Sequence, residues 1–219
     1  MSEPIDFSRI AKQIKKNNSE LTTLELQGSN LGEVGGVVVA EALERNTTLT
    51  TLKLCKNCLG KRFGIAVADA LKRNTTLKTL ELESNNIGEI GGMAVARALK
   101  RNSSLTILDL ECNRIREVGG VAVAKSLKRN SSLTKLYLGR NFLREHFAIS
   151  VADAMEINTT ITYLDLWGNS LQEVGGIAIA DILKRNTSLT SLNLAFCGIQ
   201  DSNIRKFEEI LSKREDFKP

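Results

Sequence analysis

The chain has 219 residues, 42% hydrophobic and 25% charged, with a formal net charge of +5, the composition of a folded protein with material for a sizeable core. No apolar run approaches the roughly 18–20 residues that span a bilayer, and the start, MSEPIDFSRIAKQ, lacks the apolar stretch of a signal peptide, so a cytoplasmic chain away from membranes is expected. The two prolines, Pro4 and Pro219, stand at the ends and no Ser/Gly/Pro-rich run interrupts the middle, which predicts a single domain over 1–219.

In chain order, residues 1–20 are expected to form an N-terminal capping helix whose exposed side carries Lys12, Lys15 and Lys16. From Leu21 a unit then recurs: Leu21, Leu49, Leu77, Leu105, Leu133, Ile161 and Leu189 are spaced by 28 residues, and each opens the pattern LxxLxLxx(N/C)x(L/I). Leu105, Leu108 and Leu110 alternate as a short strand does, Asn113 follows where a side chain can satisfy turning backbone, and Ile115 returns to the core. The period then changes to a helical one over EVGGVAVAKSLKRN, with Val118, Val121 and Ala122 at helical spacing alongside Lys125 and Ser126, Ala124 small enough for close packing, and Leu127 closing the face. Each of the seven units over 21–200 therefore reads as strand, turn, helix, turn, and 201–219 as a C-terminal capping helix.

This pattern resembles the ribonuclease-inhibitor-like class of leucine-rich repeats, also seen in the sensing regions of NLR-type immune receptors, over nearly the whole chain. The resemblance implies an α/β solenoid with a parallel sheet inside and helices outside. Physics implies the same curvature, since strands stack about 4.8 Å apart while helices need about 8–10 Å.

Asn46, Asn74, Asn102, Asn130, Asn158 and Asn186 each begin an N-glycosylation-type triplet, always just past a predicted helix end. They are expected to be turn punctuation, with asparagine tolerating a left-handed backbone and the following Thr or Ser residues bonding the turn. Cys55, Cys58, Cys112 and Cys197 show no repeated disulfide spacing, and Cys197 takes the Asn position of its unit.

Since the fold fixes the apolar positions, function belongs to the outward strand positions. These rows hold both tyrosines and the only tryptophan, Tyr137, Tyr163 and Trp167, in the fifth and sixth units, with Arg140 and Lys135 on the neighbouring strand and Phe196 further along. Aromatics with a nearby arginine are the usual interface anchors; the bland alternative is that the three rings only cover one another. Gly139, one strand from Trp167, leaves a depression for a partner side chain or for the indole itself. Beside them Glu81, Glu83, Asp109 and Glu111 form an acidic block, with Lys53 placed to offset Glu81. That block reads as a dock for basic side chains, a solvated face, or a Ca²⁺ or Mg²⁺ site, and its crowding should raise some pKa values.

Elsewhere the sequence offers less chemistry. Phe63 and Phe147 replace the Glu-Val-Gly-Gly type of loop, as core plugs or as a second contact patch. His146, the sole histidine, has no Ser or Cys placed as a nucleophile, and Cys55-x-x-Cys58 lacks a second ligand pair. The glycine pairs lack a phosphate-loop pattern, recur with the repeat and are expected to allow tight helix entry. Pairs such as Lys72-Arg73, Lys100-Arg101, Lys128-Arg129 and Lys184-Arg185 fall at predicted helix C-termini, where cations complement the macrodipole, which argues against a nucleic-acid interface.

The reading is a non-catalytic, monomeric recognition module or scaffold without cofactor or metal, binding a protein partner, with a basic segment, on its concave face. The alternatives are a ligand-sensing fragment of a larger immune-type receptor, an enzyme inhibitor, and nucleic-acid binding along the basic helix ends.

Overall fold

The computed structural model describes residues 6–213. The order is α1 (Phe7–Lys15), β1 (Thr23–Glu25), α2 (Gly32–Leu43), β2 (Thr51–Lys53), α3 (Gly60–Leu71), β3 (Thr79–Glu81), α4 (Gly88–Leu99), β4 (Ile107–Asp109), α5 (Arg116–Leu127), β5 (Lys135–Tyr137), α6 (Glu145–Met155), β6 (Tyr163–Asp165), α7 (Gln172–Leu183), β7 (Ser191–Asn193) and α8 (Asp201–Ser212). The seven strands form one parallel sheet in sequence order, and every neighbour pair keeps the 28-residue register, as in Leu80↔Leu108 and Glu81↔Asp109. This is the leucine-rich-repeat solenoid that the period predicts, with three-residue strands on the inside of the bend.

The core runs the length of the stack between sheet and helices. Leu52, Leu80, Leu108 and Leu136 from the strand centres are fully buried, as are Leu54, Leu82, Leu110 and Leu138 two residues on. From each helix a small-residue face meets them; α5 buries Gly119, Gly120, Val123, Ala124, Ser126 and Leu127. Val118 and Lys125 do not share that face: Val118 is 55% exposed and Lys125 points to solvent, because the glycine pair rather than the valine before it turns toward the core. Glycine is required there by proximity, since a Cβ on Gly64 would lie 2.7 Å from both Gly91 Cα and Ile87 Cγ2 of the next repeat.

Phe63 and Phe147 are fully buried, so the core-plug reading holds and the contact-patch reading does not. Phe147 packs where Gly120 of the preceding repeat leaves room, 3.0 Å from the place a Cβ would take. The aromatic ring replaces, in its own repeat, the volume that a glycine pair leaves to neighbours.

The asparagines after the helices correct one expectation. None of the six has a positive φ; among asparagines the left-handed conformation occurs at Asn17, Asn30 and Asn86. Their work is done by the side chain. Asn74 is buried, its Nδ2 donating to Leu43 O and Asn46 O, both at 2.9 Å, while its Oδ1 accepts from the backbone N–H of Thr76 at 3.0 Å and Leu77 at 2.8 Å. The equivalent bonds recur down the stack and satisfy carbonyls left open at each helix end. The Thr/Ser residues join in, with Thr76 Oγ1 3.3 Å from Asn46 O.

A second ladder runs along the strand ends. Asn85 Nδ2 donates to Leu54 O and Leu82 O at 2.8 and 2.9 Å, and its backbone N–H donates to Asn113 Oδ1 at 3.1 Å. At the last unit Cys197 takes over, its Sγ donating to Leu166 O at 3.1 Å. These ladders hold the loops that carry the sheet's outward side chains.

At the ends, α1 buries Ala11 and Ile14 against α2 while Lys12, Lys15 and Lys16 are exposed. Residues 1–5 and 214–219 of the expected caps lie outside the described residues. No helix among the described residues is long and apolar enough to cross a membrane.

Candidate functional site

The pleat of each strand turns its first and third residues outward, and the fixed register lines them up across the sheet. One such row reads Glu81, Asp109, Tyr137, Asp165 and Asn193, and the parallel row Thr79, Ile107, Lys135, Tyr163 and Ser191. The aromatic and acidic residues picked from the sequence therefore lie side by side on one face.

Tyr137 and Tyr163 sit with ring centroids 4.9 Å apart at a tilt of 38°. The Trp167 indole fills the depression at Gly139, where a Cβ would overlap Cδ1 and Nε1. The Arg140 guanidinium lies 5.2 Å from the indole centroid, in cation–π range. Gly168 makes room for that arginine, since a Cβ there would be 2.9 Å from Arg140 Cγ. All three rings are half-buried, while Arg140 and Lys135 are exposed. Phe196 is 86% exposed, two repeats from Arg140, and makes no ring contact among the described residues.

Sequence reasoning missed the residue that organises this patch. Asp165 is 7% exposed; its Oδ1 accepts the Trp167 backbone N–H at 3.0 Å, and its Oδ2 accepts from Asn193 Nδ2 at 3.0 Å and the Tyr163 hydroxyl at 3.4 Å. The signal was the repeated Asx at the strand end: Asp109 accepts from Glu111 N at 2.8 Å and Asn193 from Ala195 N at 3.1 Å in the same way. Burial, followed by the Asp165 carboxylate, pushes the Tyr163 phenol up to about 12. Tyr137 is raised also, first by burial and then by Asp109 and Asp165, so both phenols remain hydrogen-bond donors at neutral pH.

In the acidic block, burial pushes the Asp109 carboxyl up to about 6; the backbone N–H of Glu111 opposes this, and the charges of Glu111, Glu83 and Glu81 add to it. The expectation of mutual repulsion is thus met at one carboxylate, with burial the larger cause. Lys53 ion-pairs with Glu25 at 2.9 Å rather than with Glu81, and Lys56 approaches Glu83 at 3.7 Å. No group of three or more His, Cys, Asp or Glu among the described residues is placed to hold a metal ion.

The remaining candidates are brought to no common site. His146 Nδ1 faces Glu117 Oε1 at 3.1 Å on the far rim. All four thiols are free, and burial pushes Cys55 and Cys197 up to about 11 and raises Cys112, so these three stay protonated and weakly reactive. The lysines of the basic pairs do sit at helix ends, as Lys72, Lys100, Lys128 and Lys184 are the C-caps of α3, α4, α5 and α7.

Known proteins give the arrangement a family. No curated protein sequence matches the chain. Among solved structures it is similar to "Leiomodin-1 Actin-Binding Site 2 (ABS2)", at 19% identity over 96% of this chain and 90% of that one, with a TM-score of 0.39. It is also similar to a tropomodulin C-terminal domain from Caenorhabditis elegans, at 12% identity over 95% and 93% of the two chains, with a TM-score of 0.47. A Leucine Rich repeat model matches residues 158–180 and 185–203. The TMOD/LMOD Leucine-rich domain model matches residues 3–114, or 112 of the 219 residues, and the chain belongs to that family of leucine-rich-repeat proteins.

Proposed function

We propose that the chain is a non-catalytic recognition module that receives a protein partner on its concave sheet. Tyr137, Tyr163 and Trp167 anchor the partner, Arg140, Lys135 and Phe196 border the anchor, and Glu81, Glu83, Asp109 and Glu111 orient a basic segment. The observation that carries this reading is the fixed aromatic patch beside a carboxylate block: rings held by Gly139, Arg140 and Asp165 keep solvent-facing area without rotamer freedom to lose. A lysine or arginine brought to Asp109 would offset the cost of its buried charge, so a basic partner is the complementary one.

The non-catalytic part is supported by the engagement of His146 with Glu117 and by thiols held protonated. The same reading takes 1–20 and 201–219 as caps of one monomeric domain, of the ribonuclease-inhibitor-like subclass because each 28-residue unit carries a full helix. It places the chain in the cytoplasm, supported by sequon asparagines whose buried side chains leave no room for glycans.

The test is affinity capture from a lysate of the source cell, comparing the intact chain with a Tyr137→Ala/Tyr163→Ala/Trp167→Ala variant that retains its circular dichroism. Actin, which the leiomodin-1 fragment's name says it binds, is included as a purified probe. Proteins held by the intact chain and lost by the variant support the reading; identical profiles overturn it.

A further inference from the structure

On the rim where strands pass into helices, the fourth and fifth repeats bring three arginines and a phenylalanine together. The residue that opens the helix is Gly32, Gly60 and Gly88 in the first three repeats, with φ between +60° and +70°; the fourth places Arg116 there and the sixth Gln172, both at φ +59°. Two residues earlier, Asn30, Cys58 and Asn86 are left-handed, and the fourth and fifth repeats hold Arg114 and Phe142 there at φ +56° and +57°. Glycine and asparagine adopt this backbone most cheaply, so the fold alone gives no reason for two arginines and a phenylalanine.

These three residues and Arg144 line one cleft of about 480 Å³. Phe142 is 65% and Val118 55% exposed within it, which gives the cleft an apolar wall. Among the described residues none of the three arginine side chains has an ion pair, whereas Arg73 and Arg185 on the helix ends pair with Glu44 and Glu156. Of the two glutamates on the cleft, Glu117 is taken by the ring and backbone N–H of His146 at 3.1 and 3.2 Å.

We propose that this cleft binds an acidic peptide segment of a partner protein, with side-chain carboxylates held by Arg114, Arg116 and Arg144 and an apolar side chain set against Phe142 and Val118. Planar guanidiniums match carboxylates in paired hydrogen bonds, and the apolar wall asks for a hydrophobic residue between the charges. A continuous nucleic-acid phosphate backbone fits less well, because the exposed Phe142 and Val118 form an apolar wall that phosphates and sugars do not match. The site is separate from the concave face and of opposite charge preference.

The probe is a fluorescein-labelled peptide, Asp-Glu-Leu-Phe-Glu-Asp-Glu, read by anisotropy against the full chain. The variant Arg114→Asn/Arg116→Gly installs residues that the other repeats already carry at these positions, so folding is retained. The proposal expects saturable binding, weakened about tenfold or more by that variant and by a Gly-Ser replacement of Leu-Phe in the peptide. Trp167→Ala should leave this binding intact, which separates the rim site from the concave one. It is overturned by no saturable binding up to about 1 mM, by equal affinity of the double variant, or by tighter binding of a uridine decanucleotide lost on the same substitutions.

Discussion

The Trp167 indole occupies the space where Gly139 lacks a side chain, one strand away. A methyl group there would overlap the ring, so Gly139→Ala should lift the indole off the sheet and loosen its stacking with Arg140. Trp167 is the only tryptophan, and its emission reports this one site. The expected outcome is a red-shifted emission maximum, unchanged far-UV circular dichroism and a stability loss of about 1 kcal/mol. An emission spectrum identical to that of the parent chain would mean that the indole does not depend on Gly139.

The period made most of this legible. The alternation Leu105, Leu108, Leu110 and the 28-residue phase placed every strand, and with them the neighbours Tyr137, Tyr163 and Trp167, because a repeat pattern converts sequence distance directly into position on a sheet. The fate of Val118 was not legible, since valine and glycine alternate in rank at the helix start and only the packing of Gly119 and Gly120 decides which turns inward. Nor was the role of Asn74: local propensity points to a left-handed turn, whereas its side chain bonds carbonyls 28 and 31 residues earlier. Asp165 was overlooked because its partners, Trp167 and Asn193, become visible as partners only once the strand end has turned.

The raised pKa of Asp109 makes stability depend on pH. Its folded value, about 6, lies above the ordinary 3.8, so between these values the folded chain binds a proton that the unfolded chain has released. Stability attributable to this residue therefore falls as pH rises from about 4 to about 6 and stays low above that. Asp109→Asn can keep the acceptor for Glu111 N–H without the charge; urea unfolding should show it more stable by about 2 kcal/mol at pH 7, with the gap closing near pH 4. A gap that stays constant with pH would show that burial of this carboxylate has no such effect.

Asn102 tests the ladder behind the helices. Its Nδ2 donates to Leu71 O at 2.8 Å and Asn74 O at 3.1 Å, and its Oδ1 accepts from Ser104 N at 3.1 Å and Leu105 N at 2.8 Å, all at a buried position. Alanine there would strand Leu71 O and the N–H groups of Ser104 and Leu105 away from water and leave Asn74 O with only the Ser104 hydroxyl at 3.4 Å, at a cost of about 3 kcal/mol. An aspartate in its place would keep the acceptor but lose the donor and add a buried charge, so Asn102→Asp should be no better than Asn102→Ala. Because contacts in a stacked array are between neighbours, hydrogen exchange should rise first in the amides of repeats three and four, before distant repeats respond. Uniform loss of protection along the whole stack would instead indicate that the seven repeats unfold as one unit.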